Sequence, residues 1–245
     1  LVLCNSNYDS AAEIRAMRRA EENGFSGIIM ITAVETEELV DFLHSTKLPV
    51  LLVNRSIRAV DLDMVRIDNY RGGYMAAEYL ISRGHRRIAH AAGDRESAVC
   101  RDRVRGFCDA MADHHIPLED RDVIYCGLLR SGGRAFAKKL LEEGMPYTAV
   151  FFSNTALAQG MVDTLSRAGK KVPDDLSVLS FDDSPALSEE GLDLTTLSYD
   201  PSKMGETAAD IFLKRIADPL GDRIKTVFSP RFMVRGSVRE PDYVK

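Results

Sequence analysis

Polar residues follow directly on the apolar runs of this chain, and their types suit gripping a small polar molecule rather than breaking bonds. Asn5-Ser6-Asn7 follow Leu1–Cys4, Asn54-Arg55 follow Pro49–Val53, and Gly93-Asp94-Arg95-Glu96-Ser97 follow Arg87–Ala92. Ser153-Asn154 follow Ala149–Phe152, and Asp182-Asp183 follow Ser177–Phe181. Amides, hydroxyls, carboxylates and arginine offer donors and acceptors for a polyhydroxylated ligand. Any one of them also suits a helix N-cap, so it is the recurrence at successive run ends that points to a site. Arg103, on the helix predicted after Arg87–Ala92, carries a fork able to bind hydroxyls or an anion bidentately.

Bond-breaking chemistry finds no matching pattern. There is no GxSxG, HExxH or GxxxxGK[ST], and Gly72-Gly73 lacks phosphate-loop spacing, which leaves helix packing or a turn. His44, His85, His90, His114 and His115 form no metal-ligand spacing. Asp182 and Asp183 would need to face one point to act as an acid-base pair, and neighbours on a loop usually diverge. The expectation is a protein that is not an enzyme, with no catalytic residues, metal or cofactor.

The elements that must position these residues alternate with a regular rhythm. Strands are predicted at Leu1–Cys4, Gly27–Ile31, Pro49–Val53 and Met64–Ile67, with helices at Ser10–Asn23, Thr36–Thr46 and Tyr70–Arg83. The rhythm restarts with strands at Arg87–Ala92, Asp122–Tyr125, Ala149–Phe152 and Ser177–Phe181, separated by helices at Arg101–His114, Gly132–Glu143 and Thr155–Ala168. Continuous apolar strands such as Ala149–Phe152 fit a parallel sheet covered on both faces. Two such runs, followed by Leu194–Tyr199, a helix at Ser202–Ala217 and strands at Lys225–Phe228 and Phe232–Val234, favour two α/β lobes over one closed barrel. In such sheets ligands sit beyond the carboxyl ends of the strands, where the polar residues lie.

The composition agrees with that architecture. The 245 residues carry a formal charge of -5, which argues against a nucleic-acid-coating or membrane-adsorbing surface on these residues themselves. The longest uncharged stretch, Gly144–Val162, is interrupted by Pro146, Ser153, Asn154 and Gln159 and reads as a buried strand and helix rather than a membrane span. Cys4, Cys100, Cys108 and Cys126 have no metal spacing and read as free thiols of a reducing compartment.

Several stretches, in order, resemble the effector-binding core of the LacI/GalR family of transcription regulators. They are Asp68-Asn69 with Gly72-Gly73, Gly84-His85-Arg86-Arg87-Ile88-Ala89, Arg103-x-x-Gly106-Phe107 and Val172-Pro173-x-Asp175-x-Ser177-Val178. Phe181-Asp182-Asp183, Leu194-Thr195-Thr196, Met204-Gly205 and Val234-Arg235-x-Ser237 complete the set. The resemblance implies a periplasmic-binding-protein-like fold of two Rossmann-like lobes with parallel sheets and three crossovers. By that analogy one lobe holds residues 1–83 with 199–224 and the other 84–198 with 225–245. Leu1–Cys4 resembles the family's second strand, so the first lobe is expected to lack its first βα unit.

Function follows from the same resemblance. A small effector, a sugar or related polar metabolite, would bind between the lobes and alter operator binding by a helix-turn-helix domain preceding the core. The implied protein is a cytoplasmic homodimer with no membrane contact. Arg103, Asp182 and Asn154 match the family's effector-binding positions; Ser97 joins them from the strand-end reading, and Tyr70 and Tyr199 are the aromatic candidates in a chain without Trp. Three positions depart from many relatives: Thr155 stands for Asp, Val99 for a hydroxyl residue and Tyr199 for Gln. The rival reading is a periplasmic sugar-binding protein of a transporter, which shares the fold.

Overall fold

The computed structural model describes residues 1–7, 9–32, 35–183 and 192–241. In chain order the elements are α1 (Ser10–Glu22), β1 (Ile28–Met30), α2 (Glu37–Ser45), β2 (Val50–Val53), β3 (Asp63–Ile67) and α3 (Asn69–Ser82). There follow β4 (Ile88–Ala92), α4 (Ala98–Asp113), β5 (Val123–Tyr125), α5 (Arg130–Glu142), β6 (Ala149–Phe152), α6 (Thr155–Arg167) and β7 (Ser177–Phe181). Last come β8 (Thr195–Ser198), α7 (Pro201–Ala217), β9 (Lys225–Phe228) and β10 (Arg231–Met233). Leu1–Ile67 with Asp200–Phe228 form one compact unit, and Asp68–Tyr199 with Ser229–Lys245 the other.

The first unit has a parallel sheet in the order β1-β2-β3-β9. Its core joins Ile14 and Met17 of α1 and Leu39, Phe42 and Leu43 of α2 to Met30, Val50 and Leu52 of the sheet. Asp63 opens β3 fully buried and is held by Arg215 of α7 through Nε–H to Oδ2 at 2.6 Å and Nη2–H to Oδ1 at 3.0 Å. The remaining guanidinium hydrogens go to the carbonyls of Asp218, Gly221 and Asp222, so the buried charges are paired and the turn into β9 is fastened.

Leu1–Cys4 is not a strand. Leu1, Val2 and Leu3 are exposed, and no strand among the described residues pairs with them. An apolar run becomes a strand only where a neighbouring edge accepts its backbone hydrogen bonds. The chain instead turns at Asn7, with φ at 51°, and Asp9 caps α1 by accepting from the Ala12 amide at 2.8 Å.

The second unit has the sheet order β10-β8-β7-β6-β4-β5, parallel except for the β8–β10 pair. Alternate residues serve opposite faces. Ala89, Ala91, Val150, Phe152 and Val178 pack with Phe136 and Leu140 of α5 and with Leu157 and Met161 of α6. On the other face His90 stacks on Phe151 at 4.5 Å between ring centres, beside Phe107 of α4. Phe107, Phe151, Phe152 and Phe181 are all fully buried, each contributing about 1.5–3 kcal/mol of apolar burial.

The two helix pairs are joined by reciprocal glycines. A methyl group added at Gly73 of α3 would collide with the Arg103 carbonyl on α4, and one at Gly106 of α4 with the Tyr70 carbonyl on α3. The α5–α6 pair repeats the device: Gly133 faces the Leu157 carbonyl and Gly160 the Arg130 carbonyl. Only hydrogen at these positions lets the backbones approach so closely.

These contacts move the unit boundaries away from those the motif resemblance implied. Helix α3, expected with residues 1–83, belongs to the second unit because it packs on α4. Strand β9, expected with 225–245, belongs to the first because Met64 to Ile67 pair in parallel with Lys225 to Phe228.

The candidate effector site

The carboxyl ends of β4, β6 and β7 bring one cluster together in the second unit. Arg103 lies one turn into α4 and is only 4% exposed, an unusual position for a guanidinium without partners of its own. Its Nε–H donates to Asn69 Oδ1 at 2.9 Å, Nη1–H donates to the Ser153 carbonyl, and its carbon lies 3.5 Å from the centre of the Phe181 ring. A helix, a strand end and an aromatic face thus fix the fork in place. Arg103 and the strand-end Ser153 are both legible in the sequence, whereas the role of Asn69 is not. Asn69 stood within a quoted motif, and only the α3–α4 packing reveals its task.

Asp182 follows β7 with φ at 67°, a left-handed conformation costly for a residue with a Cβ and frequent at functional sites. Its amide donates to the Leu197 carbonyl at 2.8 Å, and its carbonyl accepts from Thr155 Oγ at 2.8 Å. No described residue hydrogen-bonds its half-buried carboxylate. Burial pushes that carboxyl above its ordinary range, and the nearby Arg103 charge pulls it partly back. Asp183 diverges as expected of a loop neighbour: Arg235 grips it with bonds of 2.8 and 3.0 Å, and Thr196 adds a third at 3.1 Å. That grip holds Asp183 below the usual carboxylate range and fastens the terminal segment to β8.

The other expected residues divide. Ser97 precedes α4, half-buried, and its hydroxyl makes no cap hydrogen bond. Tyr199 lies half-buried two residues beyond Leu197, the partner of Asp182. Asn154 is engaged as the N-cap of α6: Oδ1 accepts from the Leu157 amide at 2.9 Å and Nδ2 donates to the Leu128 carbonyl at 3.0 Å. Tyr70 does not join the cluster. Its hydroxyl donates to Asp109 at 2.9 Å and Arg105 lies over its ring, because the close α3–α4 crossing directs Asn69, not its neighbour, towards Arg103.

Two strand ends belong to the other unit or to no strand: Asn54 and Arg55 follow β2 in the first unit, and Asn5 to Asn7 follow the unpaired Leu1–Cys4. Among the described residues no cluster of His, Cys, Asp and Glu could hold a metal, and no helix is long and apolar enough to cross a membrane.

A doubly covered parallel sheet with a polar cluster at its strand ends is the architecture of ligand-binding α/β domains. The family described as periplasmic binding protein-like domain matches residues 77–238, and the chain belongs to that family. Relatives it resembles include transcriptional regulators. It is 31% identical over 208 residues to the HTH-type transcriptional regulator DegA of Bacillus subtilis, covering 84% of this chain and 61% of that protein's length. It is 26% identical over 241 residues to the HTH-type transcriptional repressor PurR of Photobacterium profundum, covering 98% of this chain and 72% of the repressor. A LacI family regulator from Enterococcus faecium, solved with bound ribose, superposes with a TM-score of 0.85 at 29% identity, covering 98% of this chain and 88% of that one.

Proposed function

We propose that this chain is the effector-sensing part of a DNA-binding transcriptional regulator, and that it holds a sugar or related polar metabolite at the strand ends of its second unit. The observation that carries the reading is Arg103, buried and aimed by Asn69, Ser153 and Phe181, with the Asp182 carboxylate, to which no described residue hydrogen-bonds, beside it. A rigid donor fork and a ready acceptor match paired hydroxyls of a sugar. Ser97 and Tyr199 supply further hydroxyl contacts, while Asn154 shapes the loop around Leu128. The regulators named above and the ribose-bound neighbour support this class over an enzyme or a transporter's receptor.

In this reading a helix-turn-helix domain contacts operator DNA, the protein works as a cytoplasmic homodimer, and effector occupancy shifts DNA affinity. A tenfold shift requires only about 1.4 kcal/mol of coupling. The test is a thermal-shift screen of sugars, sugar phosphates and nucleobases, followed by calorimetry on the best compound with Arg103→Ala and Asp182→Ala. Loss of binding in both variants is expected. Wild-type affinity for every compound in both variants sinks the assignment.

A further inference from the structure

The second unit has a cavity at the opposite, amino-terminal ends of its strands. It encloses about 350 Å³, at the small end of ligand pockets, where Arg86 to Ile88 lead into β4, Asp122 leads into β5 and Tyr147 leads into β6. The site built on Arg103 lies beyond the other ends of the same strands.

The floor is apolar: Ile88, Met111 and Ile116 are 2%, 1% and 7% exposed. The charges around it are unequal in availability. Glu119 is paired with Arg121 at 2.9 Å, and Asp122 accepts from the Glu119 amide at 2.7 Å and from Tyr147 at 2.9 Å. Both carboxylates and one arginine are therefore occupied. Among the described residues Arg86 uses only Nη1, donating to the carbonyls of Ile81 and His85. The Arg87 guanidinium bonds to no described residue. Among the described residues three guanidiniums and two carboxylates line the space, an excess of one positive charge above an apolar floor.

We propose that this cavity is a second small-molecule site, which takes a monocarboxylic acid whose apolar body rests on Ile88, Met111 and Ile116 and whose carboxylate meets Arg87 and Arg86. The anion neutralises the excess charge, and the body covers apolar surface that a bare phosphate or sulfate would leave wet. Arg103 and Met111 lie on one helix, eight residues or about 12 Å apart along its axis, so an occupant here touches the element that carries the effector fork.

The test is titration of the full chain with phenylacetate, phenylacetamide and inorganic phosphate, followed by NMR of the Ile and Met methyl groups. Phenylacetate is expected to shift Ile88, Met111 and Ile116 with a Kd below about 1 mM, and phenylacetamide and phosphate to bind at least about tenfold more weakly. Arg87→Ala, an exposed position whose loss leaves the core intact, is expected to weaken phenylacetate about tenfold as well. Equal binding of the acid and the amide, unchanged affinity in Arg87→Ala, shifts confined to other methyls, phosphate binding as tight as phenylacetate, or no binding of phenylacetate each overturn the proposal.

Discussion

Arg103 donates from Nε to Asn69 Oδ1 at 2.9 Å in a place where both residues are only 4% exposed. The bond ties α4 to the first turn of α3 and leaves the guanidinium one orientation. Arg103→Lys keeps the charge but has a single head in place of the fork, so sugar affinity should fall at least about tenfold by calorimetry. Asn69→Ala should weaken binding several-fold and also lower Tm, since a buried donor then lacks its partner. Unchanged affinity in both variants would show that the orientation of the fork is irrelevant.

Asp182 should carry a stability cost at neutral pH. Its carboxyl is raised by burial, so the folded protein holds the proton to higher pH than the unfolded chain, and stability declines as pH rises from the ordinary carboxylate range through the folded value. Asp182→Asn removes that decline. Scanning fluorimetry near neutral pH should record a Tm a few degrees above wild type, together with weaker sugar binding. A lower Tm would mean that the carboxylate is stabilising and the sign is wrong.

Gly106→Ala adds a methyl group against the Tyr70 carbonyl. The helices must separate, at a cost of about 1–3 kcal/mol for overpacking, and Arg103 must shift from Asn69. Chemical denaturation and calorimetry on the same sample should show both losses. Gly205→Ala, with nothing within 4 Å of the added carbon, is the matched control and should be near neutral.

Arg215→Met takes the bidentate partner from the buried Asp63 carboxylate, leaving it the Ile224 amide and the more distant Arg223, and frees the carbonyls of Asp218, Gly221 and Asp222. A loss of about 3–5 kcal/mol is expected for breaking such a pair from one side. Amide exchange should accelerate first in β9, which that turn leads into. Protection of Lys225–Phe228 equal to wild type would contradict the role given to the network.

Acid should unfold the second unit through its histidines. His85 bonds to Thr148 Oγ at 2.9 Å and to the Arg239 carbonyl at 2.8 Å, and burial lowers both it and His90 to about 4. The unfolded chain takes up these protons near about 6.5, so stability is lost as pH falls from there towards about 4. His85→Gln should flatten the slope of the urea midpoint between about pH 7 and about pH 5. An unaltered slope would assign acid sensitivity to other groups.

Strands β2, β4, β6 and β7 were legible because a buried parallel strand needs a largely apolar run, while the edge strands β5, β9 and β10 were read from shorter runs in the same rhythm. Leu1–Cys4 has the same run without a partner edge, a property of the neighbourhood rather than of the residues. Arg103 and Asp182 were readable from position after a strand and from the motif. Asn69 was not, because its task is created by a helix crossing that the spacing of Gly73 and Gly106 permits but does not announce. Tyr70 failed for the complementary reason: residue type suggested stacking on a ligand, while rotation about α3 gave the ring to Arg105 and Asp109.

The four reciprocal glycines also limit how this domain can diversify. Each joint is closed from both sides, so a single replacement by anything larger breaks a contact that no second change on the opposite helix can restore, the obstructing group there being a backbone carbonyl. Gradual drift is barred at Gly73, Gly106, Gly133 and Gly160, whereas Ser97, Val99 and Tyr199 touch no such joint. Under the proposed function, new ligand preferences can therefore arise by point changes at those three positions, with the helix pairs inherited intact.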